Sequence, residues 1–127
     1  MPHKKTYHTI IPGFLMKDGK AVGPFGLMGG FMQPQGHVQV ASNLIDFHMN
    51  PQEAIDASRW QWIKGMDVEV EADVPLHIVK DLIKRGHNIK IQPNESTFGR
   101  GQMIIRTGEG SLCGGTEKRA DGHIAVW

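Results

Sequence analysis

Three glycines in five positions, Gly26-Leu27-Met28-Gly29-Gly30, constrain this chain more than any other feature. They stand between a run that alternates as a strand and a run spaced as a helix, so they invite a tight, irregular turn at a strand-to-helix junction. Amides freed by such a turn converge on a bound anion or a developing oxyanion, helped by the helix N-terminus that follows. No Gly-Lys-Thr or Gly-Lys-Ser follows, so the cluster is not a nucleotide P-loop, and it matches no clean dinucleotide fingerprint. A functional nest and a plain glycine turn both remain open on these residues alone.

The rest of the chain is read around that turn. Thr9 to Met16 is an apolar strand, in which Pro12 demands an edge or a bulge. Lys17-Asp18-Gly19-Lys20 makes a hairpin turn, and Ala21 to Leu27 returns antiparallel. Val38, Ala41, Leu44, Ile45 and His48 recur at helical spacing, predicting a helix over Pro34 to His48. Asn50-Pro51-Gln52-Glu53 is a capping box that starts a second helix, running towards Trp60 and ending before Gly65. Asp67-Val68-Glu69-Val70-Glu71 alternates strictly, predicting a strand with one wet face. Leu76, Val79, Leu82 and Ile83 mark a third helix from Pro75 to Arg85, stopped by Gly86. Short strands follow at Asn88 to Gln92, Gln102 to Thr107, Ser111 to Gly114 and His123 to Trp127. The pattern is α+β, with a mostly antiparallel sheet and about three helices. The 127 residues show no repeat or linker and read as one domain, 1–127.

Fourteen Lys and Arg against thirteen Asp and Glu leave a net charge of +1, with no basic block. Nucleic-acid binding therefore lacks its electrostatic footprint. No apolar run approaches the roughly 20 residues of a membrane span, and no signal peptide is visible. The single Cys113 forms no internal bridge, and a cytoplasmic, soluble domain is the expectation. Seven histidines show no metal-ligand spacing, so no metal or cofactor is expected. His8 and His37 stand apart from the rest because each falls near the glycine cluster. Cys113 with His123 suggests a thiol nucleophile, or else a small buried hydrophobe between Leu112 and Gly114. Trp60 and Trp62, two residues apart at a helix end, would face different ways and read as packing rather than as a stacking platform.

Four segments in register carry a resemblance: Pro12 to Gly19, Gly26 to Gly30, Asn50 to Arg59, and Gly115-Thr116-Glu117-Lys118-Arg119-Ala120-Asp121-Gly122. Together they resemble the C-terminal, small-subunit part of the γ-glutamyltranspeptidase family and its acylase-like relatives. The resemblance implies part of an N-terminal-nucleophile hydrolase sandwich of αββα layers. It also implies acyl transfer or amide hydrolysis by a threonine nucleophile. Gly29 and Gly30 match the glycine pair whose amides hold the oxyanion, with Leu27 and Met28 in place of a Ser-Pro. His8 and Thr9 stand where transpeptidases place two serines on the substrate carboxylate, which leans towards the acylase-like branch. Neither Thr6 nor Thr9 is an N-terminal nucleophile. The nucleophile and large subunit are expected to come from outside this chain, leaving it inactive alone. It would then be completed by a large-subunit-like partner acting on a small γ-glutamyl or acyl amide. Two rivals stand beside this reading: a non-catalytic module that associates with itself or a partner, and a small independent enzyme using Cys113 or a histidine.

Overall fold

Asp18 and Gly19 turn the first hairpin with φ of 51° and 73°, the left-handed pair that a two-residue hairpin needs. They join β1 (Gly13–Lys17) to β2 (Lys20–Met28). The computed structural model describes residues 2–7 and 9–127. β1 begins at Gly13, not Thr9: Pro12 has no N–H to donate, and residues 9–11 find their partners on a helix instead. β2 pairs with β6 (Arg100–Arg106), and β6 with β7 (Leu112–Thr116), giving an antiparallel sheet in the order β1-β2-β6-β7.

A second sheet has the order β3-β4-β5, from Trp60–Lys64, Asp67–Glu71 and Asn88–Gln92. β3 and β4 are antiparallel, whereas β4 and β5 are parallel and joined by the crossover helix α3 (Leu76–Lys84). The sheets are thus mostly antiparallel, as expected, with one parallel pair, β4 and β5, where α3 makes the connection.

Helix α1 spans Met32–Ile45, starting two residues before the predicted Pro34, which sits in the first turn where its missing N–H costs nothing. It stops short of His48, whose φ of 54° is left-handed. Helix α2 (Pro51–Asp56) carries the predicted capping box: Asn50 Oδ1 accepts from Glu53 N at 2.9 Å, and Asn50 N donates to Glu53 Oε2 at 3.1 Å. It does not reach Trp60. Ala57 turns extended at ψ 142°, and Trp60 and Trp62 lie on β3, where a two-residue offset puts them on one face. The expectation that they diverge is therefore reversed. No strand forms at His123 to Trp127, and Trp127 is fully exposed.

Two side chains explain why β3 is a strand at all. Its free edge is covered by α1: Gln35 accepts from Trp62 N at 2.7 Å and donates to Trp62 O at 3.2 Å, while Gln39 accepts from Trp60 N at 3.1 Å and donates to Trp60 O at 2.8 Å. Positions i and i+4 on a helix lie about 6 Å apart along the axis. That nearly matches the roughly 6.8 Å between residues i and i+2 of a strand. Two primary amides on one helix face can therefore imitate a neighbouring strand and block edge pairing. Gln52 of α2 does the same for Thr116 at the edge of β7, accepting its N–H at 3.0 Å and donating to its carbonyl at 2.6 Å.

The main core gathers Leu27, Val40, Ala54, Ile55 and Met103 between the four-stranded sheet and helices α1 and α2. A smaller one joins Val68, Val70 and Val79 between the second sheet and α3. Among the described residues, no helix is long and apolar enough to cross a membrane.

Candidate functional site

The glycine turn sits where β2 ends and α1 begins. Gly29 has φ 141° and Gly30 φ 60°, both in the half of φ space that a side chain resists. Gly29 also needs its missing Cβ for space, since one built there would come 2.9 Å from Gly99 Cα and 3.3 Å from Met32 Cβ. Gly99, with φ 78°, lies equally close, its own Cβ position clashing with the Met28 carbonyl. Two glycine backbones thus meet face to face, and each fixes the other.

The carbonyls of this turn point into the helix. Met32 N donates to Gly29 O and Gln33 N to Gly30 O, both at 3.1 Å, so two of the first N–H groups of α1 are already satisfied. That leaves the amides of Gly29 and Gly30 themselves, for which the described residues offer no acceptor. The residues Gly29 and Gly30 line a cleft of about 730 Å³ with Phe31, Gln35, Gln61, Trp62 and Thr97. Residues of β3 in the second sheet therefore share this lining with the turn.

Of the two other positions singled out by resemblance, Thr9 is not on the lining of that cleft. It lies along α1, its carbonyl accepting from Gln33 Nε2 at 2.9 Å. His8 lies outside the described residues. His37 is half-buried against the Phe25 ring at 5.2 Å, its Nδ1 2.6 Å from Gln33 O, so it packs rather than faces the cleft. Cys113 is half-buried in β7 opposite Ile105, and His123 is exposed beyond the strand. Among the described residues, no group of three or more His, Cys, Asp or Glu is placed to hold a metal ion.

Behind the turn is a feature that periodicity misses altogether. Arg59, Glu71, Glu117 and Arg119 are all buried, forming a closed, electrically neutral set of four charges. Arg59 Nη2 meets Glu117 Oε2 at 2.6 Å, while Arg119 bridges Glu117 Oε1 and Glu71 Oε2, each at 2.5 Å. Main-chain partners satisfy what remains: Arg59 N donates to Glu71 Oε2 at 2.6 Å and Gly101 N to Glu117 Oε2 at 3.1 Å. Glu71 thus contradicts the expectation of a strand with one wet face, because it turns inward to meet Arg119. Burial pushes the Arg59 guanidinium down from its ordinary value, with Glu117 opposing and Arg119 adding to the effect. At Arg119 burial acts the same way, but Glu71 and Glu117 outweigh it and the net direction is upward.

This network reaches the glycine turn directly. Arg59 Nη1 donates to Phe98 O at 3.0 Å and Gly99 O at 3.2 Å, and Gly99 is the residue packed on Gly29. Arg59 also ties down Ile55 O at 2.8 Å, while Arg119 holds Ile55 O and Ala57 O at 3.2 and 3.1 Å. The segments Asn50 to Arg59 and Gly115 to Gly122, separate in sequence, meet here. Their shared work is to hold the backbone beneath the turn.

With the geometry in place, the comparisons with known proteins are specific. The family model described as gamma-glutamyltranspeptidase matches residues 1–127. The glutathione hydrolase-like YwrD proenzyme of Bacillus subtilis is 32% identical over 127 residues, covering 95% of this chain and 24% of that protein. The acylase ACY 1 proenzyme of Pseudomonas sp. (strain SE83) is 32% identical over 121 residues, covering 95% of this chain and 21% of that one. Among solved structures, the cephalosporin acylase from Bacillus halodurans superimposes with a TM-score of 0.91 at 57% identity, covering 100% of this chain and 24% of that one. The γ-glutamyltranspeptidase from Pseudomonas nitroreducens shares the fold at a TM-score of 0.81 and 24% identity, over 100% of this chain and 66% of that one. The expected α+β part of an N-terminal-nucleophile hydrolase is the fold these structures share. The chain spans about a quarter of the length of the curated relatives it matches. It belongs to the gamma-glutamyltranspeptidase family, and corresponds to one part of its members.

Proposed function

We propose that this chain is the C-terminal portion of an acyl-transferring amide hydrolase, in which Gly29 and Gly30 supply the oxyanion amides. The observation that carries the reading is that the two glycines lining the cleft have N–H groups without an acceptor among the described residues, with Gly29 packed on Gly99 and Gly99 held by Arg59. In the reaction, the hydroxyl oxygen of a threonine outside this chain attacks the amide carbon. The C–N bond breaks and the hydroxyl proton leaves with the amine, through the threonine's own amino group. Water or an acceptor amine then takes the acyl group from the ester. As the carbonyl oxygen becomes an oxyanion, the two glycine N–H groups donate to it. A donor of this kind contributes on the order of 10² to 10³ in rate.

The replacement of a serine pair by His8 and Thr9 favours acylase-like substrates over γ-glutamyl ones. The relatives support a shared amide-hydrolysis chemistry, being called a glutathione hydrolase-like protein and acylases. Lacking the nucleophile, the isolated chain is inactive, works with a large-subunit-like partner, and resides in the cytoplasm. A γ-glutamyl or acyl anilide assay on the chain, alone and joined to the nucleophile-bearing portion, tests this. Turnover only in the assembly is the expected result, and turnover by the chain alone overturns it.

A non-catalytic, self-associating module is the second reading, favoured by one observation. Phe14, Pro24, Met28, Ile104 and Leu112 share the outer face of the four-stranded sheet and four of them are large, exposed hydrophobics. Light scattering across concentration separates the two, because a strictly monomeric chain argues against self-association.

A further inference from the structure

We propose that Gln33 is a positioning residue that locks the Thr9 segment to the glycine turn, so that the segment which the resemblance assigns to substrate binding keeps one fixed separation from that turn. The inference rests on the acyl-transfer reading above for its functional consequence, but its geometry stands without it.

Residues 9–11 precede β1 and have no strand partner. Among the described residues their hydrogen bonds all go to one side chain: Ile11 N donates to Gln33 Oε1 at 2.8 Å, and Gln33 Nε2 donates to Thr9 O at 2.9 Å. A primary amide presents the same donor and acceptor as a peptide group, so Gln33 stands in for a missing neighbouring strand. The same residue's main-chain N–H donates to Gly30 O at 3.1 Å. One residue, only 6% exposed, thus holds the Thr9 segment with its side chain and the oxyanion turn with its backbone. Its carbonyl is engaged too, by His37 Nδ1 at 2.6 Å, and the His37 ring lies against Phe25 of β2. Ile11 O lies over Gly26, 3.5 Å from where a Cβ would be, which presses the segment against the strand leading into the turn.

The two attachments differ in how substitution affects them. The bond from Gln33 N to Gly30 O is main-chain and survives any side-chain change. The bonds to Thr9 and Ile11 do not. Loss of Gln33 should therefore loosen the Thr9 segment and leave the glycine turn in place; on the acyl-transfer reading, that segment binds substrate. The kinetic signature is a raised KM with kcat kept, which a general loss of fold would not produce.

The test uses two variants in two settings. Gln33→Met keeps the volume and removes both side-chain bonds; Gln33→Glu keeps the acceptor for Ile11 N but sets a carboxylate oxygen against Thr9 O. In the chain itself, amide exchange read by NMR should be at least about tenfold faster at Ile11 in Gln33→Met, while Val40 in the middle of α1 keeps its protection. Gln33→Glu, which retains the Ile11 acceptor, should be intermediate. In the assembly with the nucleophile-bearing portion, Gln33→Met should raise KM about tenfold with kcat within about twofold. Unchanged exchange at Ile11, or kcat falling as steeply as KM rises, overturns the proposal. If Val40 protection is lost in Gln33→Met, Gln33→Glu decides: Ile11 exchanging as in the wild type refutes the clamp. If the wild-type assembly turns over no amide, the acyl-transfer reading fails, and the clamp is judged on Ile11 exchange alone.

Discussion

Replacing Arg59 with methionine is the sharpest perturbation of the network beneath the glycine turn. The substitution keeps much of the buried length of the side chain and removes the guanidinium, which is 2% exposed and meets Glu117 at 2.6 Å. Four acceptors lose a donor, Glu117 Oε2 and the carbonyls of Ile55, Phe98 and Gly99, of which Glu117 Oε2 keeps Gly101 N and Ile55 O keeps Arg119. The cluster also passes from neutral to a net charge of minus one in a site closed to water. Removing one partner of a buried ion pair costs about 3–5 kcal/mol, mostly because the other charge is left uncompensated. Glu117 still has Arg119 and Gly101 N, which places the expected loss near the lower figure. A loss of about 3 kcal/mol lowers Tm by roughly 10 °C in a domain of this size. Urea unfolding followed by tryptophan fluorescence measures it. The decisive control is the double variant Arg59→Met with Glu117→Gln: neutralising the stranded charge should make the two losses clearly less than additive, by about 1 kcal/mol or more. Strict additivity, or a single-variant cost below about 1 kcal/mol, would refute the claim that charge compensation holds this region together.

Two further outcomes follow from the same geometry. Gly30→Ala has open space around its Cβ and should cost about 1 kcal/mol for the left-handed φ alone, whereas Gly29→Ala should cost clearly more because its Cβ meets Gly99; chemical denaturation of both variants checks the order. Glu69 carries a pH dependence of definite sign. Partial burial pushes its carboxyl up, but hydrogen bonds from Gln92 and Gln61 and the Lys90 ammonium outweigh it and hold it below its ordinary value of 4.5. A depressed carboxyl stabilises the fold above that value and ceases to as pH falls through its lower folded value. Thermal melts followed as pH falls below the ordinary value should therefore show an acid-side decline that Glu69→Gln reduces. An identical decline in both proteins would dismiss the effect.

Local chemistry settled much of this protein in advance. The Asp18-Gly19 turn, the Asn50 and Glu53 capping box, the strand at Asn88–Gln92 and the turning glycines at 29 and 30 all form where their residues ask for them. Each depends on neighbours within a few positions, so sequence alone carries the instruction. The resemblance likewise drew attention to Gly29 and Gly30, which line the cleft.

Tertiary structure decided whatever depended on a distant partner. Glu71 reads as the last wet position of an alternating strand, yet it is buried because Arg119, 48 residues away, supplies its counter-charge. Trp60 and Trp62 read as a helix end. They form a strand because Val70 and Val68 pair with them on one side and Gln39 and Gln35 complete the other. Arg59 lay inside a recognised segment with no role attached, since nothing in its own neighbourhood shows that it will meet Glu117 or brace Gly99. Periodicity reports which way a side chain points along its own element. Whether a charge there meets water or an opposite charge is set by what the rest of the chain brings to it.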